Sequence, residues 1–352
     1  VHGQRGDDGL VAGALVGGDG DGRQGVLVGF CVTGGVGVSL GGLAKHVEAV
    51  TPTLGLFRLG AAQRLCALLE RALRAGQALV GGGEIAGTIE AVGEGVEGWQ
   101  VGDRVLAGIG NGGLAEKVCV AEGRLFKVPD GVPFEKAASL MMTYGTTIHG
   151  LKDRGHIKAG DTVLILGAAG GVGLSAIELA KAFGARVVAA VSSEAKGEVA
   201  RNAGADEVVI YPREAMDKDA SKALADAFKA ACGPNGANIV YDIVGGQYSE
   251  PALRAIAWEG RFLVVGFPAG IAKMPLNLTL LKSCDICGVF WGAFTMREPE
   301  AFRAQVEELF DLMKAGKIDP LVSETFPLAR AGDAIAKLEA REAVGKLVVT
   351  MG

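Results

Sequence analysis

Cysteine is scarce in this sequence. Six residues, Cys31, Cys66, Cys119, Cys232, Cys284 and Cys287, are scattered through 352. That density is too low for a disulfide scaffold, and it implies free thiols in a reducing compartment such as the cytoplasm. Cys284 and Cys287 form a lone CxxC that runs into an apolar stretch, residues 286–290, that reads as a strand. Residues three apart on a strand point to opposite faces, which suits neither a metal nor a redox pair. Charge of one sign is also missing. With 35 basic and 40 acidic residues the net charge is −5, so no global basic field exists to attract nucleic acid or anionic lipid. The first residues lack a basic region followed by an apolar one, so no secretory signal is expected. Residues 25–43 carry no charge over 19 positions, close to the length of a bilayer span, but seven of them are glycine. Such a segment is a poor helix former, and no membrane helix is expected there.

A different deficit divides the chain. Residues 1–80 contain no Ile, Asn, Tyr, Trp or Met and a single lysine, Lys45, whereas all these types occur normally afterwards. The missing types include many with AT-rich codons. A GC-rich stretch of gene read in the wrong frame accounts for this, and we favour that hypothesis over a genuine, flexible Gly-rich extension. Resequencing that confirms the frame would refute it. Within this region residues 61–80 place Leu65, Leu68, Leu69 and Leu73 at helical spacing, with Arg64, Glu70, Arg71 and Arg74 between them.

From residue 82 the pattern is orderly. Residues 84–92 alternate as a strand. A Gly102-Asp103 turn leads into a second, and residues 114–120 and 125–128 read as further short strands. Close-set short strands indicate a small β domain. A helix is expected over residues 134–149, and strands and helices then alternate to about residue 290, the signature of a parallel sheet covered on both faces.

The chemistry is concentrated at the start of that alternation. The apolar run Thr162-Val163-Leu164-Ile165-Leu166 is followed at once by Gly167-Ala168-Ala169-Gly170-Gly171-Val172-Gly173. A helix then presents Val172, Ala176, Leu179, Ala180 and Phe183 inward, with Ser175, Glu178 and Lys181 outward. Residues 186–191 form the next strand. A pyrophosphate must approach backbone N–H groups closely, and a Cβ obstructs that approach. The exposed amides and the helix dipole then stabilise its charge. Ala168, Gly170 and Gly173 occupy the three glycine places of G-x-G-x-x-G, the first being a departure. Between a strand and a helix, in a run of β/α units, this motif marks a Rossmann-type dinucleotide site.

The end of the second strand sets the choice of dinucleotide. NAD-binding chains usually place Asp or Glu there. Here Ser192-Ser193 stands at the tip, with Lys196 just beyond. Hydroxyls and an ammonium bind a 2′-phosphate, which favours NADPH. The alternative is that Ser193 only caps a helix and Lys196 is solvated.

At these residues the chain resembles the zinc-free medium-chain dehydrogenase/reductases, in particular the NADPH:quinone oxidoreductase (zeta-crystallin-like) group. The matching features are Gly83-Glu84-Ile85-Ala86-Gly87, Ala91-Val92-Gly93-Glu94-Gly95-Val96, Val101-Gly102-Asp103-Arg104-Val105 and Tyr144-Gly145-Thr146. The glycine turn, Gly204-Ala205-Asp206, Tyr241-Asp242-Ile243-Val244-Gly245-Gly246, Val264-Val265-Gly266-Phe267 and Gly345-Lys346-Leu347-Val348-Val349 follow in order. Residues 1–81 do not match. The resemblance implies an α/β protein: a Rossmann doubly wound parallel sheet over residues 131–299, and a GroES-like β domain built from 82–130 and 300–352 and incomplete at its front. It also implies that Thr146, Gly170, Gly171 and Val172 contact the nicotinamide and phosphates. Ser193, Lys196 and Tyr211 would hold the 2′-phosphate, Val244 and the Gly266-Phe267 backbone would flank the nicotinamide, and Lys346 would add a phosphate contact. In the zinc-containing relatives a G-H-E motif supplies a ligand. Here it reads Gly82-Gly83-Glu84, and Met141 and Met142 stand where a ligand cysteine would come. Cys31 only faintly echoes a ligand loop.

The implied activity is hydride transfer from NADPH to a quinone or another α,β-unsaturated carbonyl compound, without metal. The alternative is an NADPH-binding chain with little turnover, because the family's Asn-x-x-Asp stretch and nearby tyrosine have no counterpart in residues 1–81. Tyr144 is a candidate proton donor, or else a packing residue. His149 is expected to be packed or superficial. Phe267, Phe290 and Trp291 are candidates for an apolar substrate wall, and Phe290 and Trp291 equally for a subunit contact. The strand at residues 286–290 would lie at the sheet edge and pair with its copy in a homodimer, since an apolar edge is otherwise a liability.

Overall fold

The computed structural model describes residues 13–17, 27–29, 82–340 and 342–351. The amphipathic stretch at 61–80, Cys31 and most of the uncharged stretch at 25–43 lie outside the described residues. Among the described residues no helix is long and apolar enough to cross a membrane.

The chain begins with a mixed sheet. Its first strands are β1 (Gly13–Gly17), β2 (Leu27–Gly29), β3 (Glu84–Val92), β4 (Arg104–Gly108), β5 (Val118–Ala121) and β6 (Leu125–Lys127). β3 is its hub, pairing antiparallel with β1, β2 and β4. Two helices follow, α1 (Phe134–Ala137) and α2 (Met141–Ile148), and then a π-helical turn, His149–Arg154. The single helix expected over 134–149 is therefore interrupted. The break has an electrostatic cause: the carboxylate of Glu84 enters from β3 and accepts the amide of Met142 at 2.6 Å, which starts a new helix there.

The β/α alternation comprises β7 (Thr162–Leu166), α3 (Gly171–Ala182), β8 (Arg186–Val191), α4 (Glu194–Asn202), β9 (Glu207–Ile210), α5 (Lys218–Cys232), β10 (Ala237–Asp242), α6 (Ser249–Arg254), β11 (Ile256–Val264), α7 (Asn277–Lys282) and β12 (Asp285–Gly288). These six strands are parallel, in the order β12-β11-β10-β7-β8-β9. Side chains alternate between two cores. Val163, Ile165, Val187, Ala189, Ile239 and Tyr241 enter one, and Leu164, Leu166, Val188, Ala190, Val240 and Phe262 enter the other. Cys284 packs into the second core and Cys287 against the first, so the CxxC pair is split across the sheet.

Two more helices, α8 (Trp291–Arg297) and α9 (Pro299–Lys314), precede β13 (Val322–Pro327), α10 (Ala331–Glu339) and β14 (Lys346–Thr350). α9 places Val306, Leu309 and Phe310 in the first core beside the parallel sheet. The chain re-enters the mixed sheet at β13, and β14 then pairs with β13 and β2. Arg303 of α9 ties the two parts together: its guanidinium donates to the carbonyls of Leu125 and Gly123, both at 3.3 Å, and lies over the Phe126 ring.

Phe228 of α5 is fully enclosed in the second core. Phe228→Ala is expected to cost about 3–5 kcal/mol through lost transfer energy and the cavity left behind. A lower urea midpoint at unchanged slope is the expected result.

Candidate active site

Strand order reverses between β7 and β10, and the crevice at their carboxyl ends is where a doubly wound sheet binds its ligand. Gly167 leaves β7 at φ +73°, a conformation glycine adopts without strain. The sharp turn is thus made by Gly167; Ala168, at the first glycine place of the motif, is fully buried with its amide on the Ala190 carbonyl at 3.2 Å. Gly170 flanks α3 in extended conformation, and no side chain caps the helix. The amides of Gly171, Val172 and Gly173 open the helix and have no intrahelical acceptor. Gly173 tolerates no substitution: a Cβ there would lie 2.4 Å from the Gly167 carbonyl oxygen. Across the crevice Val244 packs against Gly167. The turn carrying Val244 is anchored by the buried Asp242 carboxylate, which accepts the amides of Val244 and Gly245 at 2.8 Å and the Ser249 hydroxyl at 2.5 Å. Burial nevertheless raises the Asp242 pKa. The Gly266 amide donates to the Asp242 carbonyl, which sets the Gly266-Phe267 backbone beside the same turn.

At the far end of the crevice Ser193 accepts from the Lys196 amide at 3.4 Å and caps α4. Capping leaves Ser192 and the Lys196 ammonium unengaged by it. Burial first, and then repulsion by Arg213, lowers the Lys196 pKa. Tyr211 is buried, which pushes its pKa up to about 12, and its ring lies 4.6 Å from that of Tyr248. Arg213 was not among the residues expected from the sequence. The signal was topological: Val191 pairs with Ile210, so the loops after β8 and β9 emerge side by side.

A pocket of about 710 Å³ opens between the mixed sheet and α8–α9, lined by Ile109, Met141, Met142, Trp291, Met296 and Phe302. Trp291 rests on Gly145 of α2, where a Cβ would lie 2.8 Å from the indole nitrogen, and meets Phe302 edge-on at 5.6 Å. Its indole N–H is buried without an acceptor. Of the expected apolar wall, only Trp291 lines this pocket. Phe267 and Phe290, 50% and 76% exposed, lie outside it. Thr146 sits on α2, largely buried.

The structure places three further sets of residues. Tyr144 does not reach the pocket. It is 2% exposed, and its hydroxyl donates to Glu178 of α3 at 2.7 Å. Burial first, then the charge of Glu178, holds its pKa well above the ordinary value, which is the opposite of what a proton donor needs. Glu178 and Ser175, expected on the solvent side of α3, instead face α2. Ser175 is buried and bonded to Thr147 at 2.7 Å. Lys346 is 3% exposed; its chain passes beside Gly171 at the start of α3, and its ammonium is 2.9 Å from the wholly buried carboxylate of Glu84. His149 is packed, stacked on Phe294 and bonded to Asp153 at 2.7 Å. Among the described residues no group of three His, Cys, Asp or Glu side chains is placed to hold a metal.

Gly145→Ala is expected to drive the Trp291 indole toward the pocket at a cost of about 1–3 kcal/mol, read as a lower melting temperature and altered tryptophan emission. Tyr144→Phe is expected to cost only about 1 kcal/mol and to leave pocket chemistry intact. A large loss of turnover at unchanged stability would contradict that placement.

Known proteins share this arrangement. The family model described as "Zinc-binding dehydrogenase" matches residues 171–313, and that of the "Alcohol dehydrogenase GroES-like domain" matches residues 64–130. A quinone oxidoreductase-like protein 2 homolog of Nematostella vectensis is 36% identical over 274 residues, 77% of this chain and 73% of that protein. A quinone oxidoreductase of Pseudomonas aeruginosa is 35% identical over 272 residues, 76% of this chain and 81% of that protein. Among solved structures, a mycobacterial protein complexed with NADPH superposes with a TM-score of 0.73 at 29% identity, covering 99% of this chain and 94% of that one. The Escherichia coli quinone oxidoreductase complexed with NADPH gives 0.67 at 28% identity, covering 76% and 80%. The chain belongs to the quinone oxidoreductase family of zinc-free medium-chain dehydrogenase/reductases.

Proposed function

We propose that this chain transfers a hydride from NADPH to a quinone or another α,β-unsaturated carbonyl compound without a metal. The observation that carries the choice of cofactor is the end of β8, where Ser192 and Ser193 stand in place of the carboxylate that would select NAD and Lys196 follows in the first turn of α4, its pKa lowered by burial first and then by Arg213. A 2′-phosphate would offset this positive charge. Ser192, Ser193 and Tyr211 would complete its site, while the amides of Gly171, Val172 and Gly173 and the dipole of α3 would receive the pyrophosphate. Thr146, Val244 and the Gly266-Phe267 backbone border the nicotinamide end. When bound, NADPH supplies the hydride. Trp291, Phe302 and the thioethers of Met141 and Met142 offer an apolar wall suited to a conjugated ring. With the Tyr144 hydroxyl committed to Glu178, the proton that follows is taken from water.

A second reading is an NADPH-binding chain with little turnover. It is favoured by the front of the chain: the GroES-like model matches from residue 64, and the alignment with the Nematostella vectensis relative covers 77% of this chain. NADPH oxidation with a para-quinone, measured beside NADPH binding by fluorescence, separates the two readings. Binding with turnover supports the reductase, and binding without turnover supports the second reading.

The same proposal includes a homodimer in the cytoplasm. β12 is an edge strand, and Ile286, Phe290, Leu280 and Leu281 around it are exposed. The four described cysteines are free thiols. Light scattering is expected to give twice the chain mass, reduced to one by Ile286→Lys.

Lys196→Ala is expected to weaken NADPH binding about tenfold or more, the worth of one charge-assisted hydrogen bond, and to leave NADH unchanged. Lys196 holds its charge below its lowered pKa and loses it as pH rises through that value. The preference for NADPH over NADH should therefore fall in a window below the ordinary lysine value of 10.5. Dissociation constants measured from pH 7 upward check this, and a flat ratio would count against the assignment.

A further inference from the structure

Glu84 and Lys346 lie far apart in sequence and meet in the interior. The Glu84 carboxylate is wholly buried and makes two bonds. One oxygen accepts the Met142 amide at the start of α2, at 2.6 Å, and the other binds the Lys346 ammonium at 2.9 Å. The surroundings of the two residues differ. Gly83, next to Glu84, lines the apolar pocket, as do Met141 and Met142 of the helix that Glu84 starts. Lys346 stands at the other site. Its neighbour Gly345 bridges to Gly170, and the Lys346 Cδ lies 3.4 Å from where a Cβ of Gly171 would sit. The ammonium is two bonds beyond that Cδ. Lys346 therefore runs from the amide end of α3 to a carboxylate that organises the pocket wall.

We propose that Glu84 is a positioning residue that couples occupancy of the dinucleotide site to the shape of the substrate pocket, by competing with the pyrophosphate for the ammonium of Lys346. The proposal rests on the reading that the α3 amides receive a dinucleotide. Two anions and one cation in a water-poor site cannot all be satisfied independently, since charge interactions there are only weakly screened. When a phosphate draws on Lys346, Glu84 keeps only the Met142 amide and the positive end of α2. Its hold on the turn bearing Met141 and Met142 then strengthens. Without a phosphate, Lys346 shares that carboxylate and the turn is held less firmly. By reciprocity, whatever occupies the pocket and shifts that turn alters dinucleotide affinity by the same factor.

The test exploits a sign. An ion pair with a purely structural role predicts that removing either partner affects NADPH binding in the same direction. Competition predicts opposite directions. Glu84→Gln is isosteric, and its side-chain oxygen still accepts the Met142 amide, but it releases Lys346 to the phosphate. NADPH should bind about fivefold tighter, while kcat with 9,10-phenanthrenequinone falls. Lys346→Met should weaken NADPH about tenfold, and Lys346→Arg should restore most of the affinity. Dissociation constants come from nicotinamide fluorescence without quinone, and thermal melts confirm folding. If both variants weaken NADPH alike, or neither changes it, the coupling is overturned. If Lys346→Met does not fold, Glu84→Gln alone is decisive, and unchanged or weaker binding overturns the proposal. A wild-type chain that binds no NADPH overturns the dinucleotide reading and the coupling together.

Discussion

Glu84 has no access to water, and a carboxylate in that position persists only if its charge is met on every side. The Met142 amide and the Lys346 ammonium meet it. Those two contacts reach into different parts of the chain. β3 brings the carboxylate, β14 brings the lysine, and α2 brings its first turn, so one buried charge pins the mixed sheet, the returning tail and the helix that walls the pocket. Removing either partner alone would leave an uncompensated charge in the interior, typically a loss of about 3–5 kcal/mol. The arrangement also explains why the helix of the 134–154 region is broken rather than continuous. An acceptor delivered from outside starts α2 where local propensity alone would have run through.

Around that anchor the parallel sheet does the positioning. Its order places β7 beside β10, and the turns after these strands, Gly167 on one and Val244 on the other, face each other across the crevice. Each turn is rigid for its own reason. Gly167 has a positive φ and Gly173 has no room for a Cβ, while Asp242 gathers two amides and a hydroxyl beneath the other turn. The pocket is built from different material. Thioethers and aromatic rings from α2, α8 and α9 line it, and Arg303 fastens α9 to the carbonyls of the mixed sheet. Rigid polar turns at one end and an adaptable apolar wall at the other suit a shared cofactor and a less strictly specified acceptor.

Much of this was legible along the chain. The strands over 84–92, 162–166 and 186–191 have the bounds that their apolar runs implied, because a buried strand and a half-buried one each impose a period that local sequence displays. The glycine turn was legible because the close approach of a phosphate constrains residue type directly. The positions of Ser193 and Lys196 beyond β8 were legible by counting, whereas the α4 cap that Ser193 makes is the alternative the sequence had left open. Arg213 was not legible, since it lies on the next strand's loop and joins Lys196 only through the pairing of β8 with β9. Tyr144 was open between two roles along the chain, and the bond from its hydroxyl to Glu178 at the interface of α2 and α3 fits the packing role.

The sequence by itself established the fold class, the dinucleotide turn and the separation of Cys284 from Cys287, because each depends on periodicity or on steric demands within a few residues. Which buried charges meet, which aromatic rings face the pocket and which face solvent depend on contacts between residues up to 262 positions apart, as for Glu84 and Lys346. No local pattern encodes such a pairing. A lysine near the tail reads as a solvated cation or a phosphate ligand until the sheet carries it beside a carboxylate that water cannot reach.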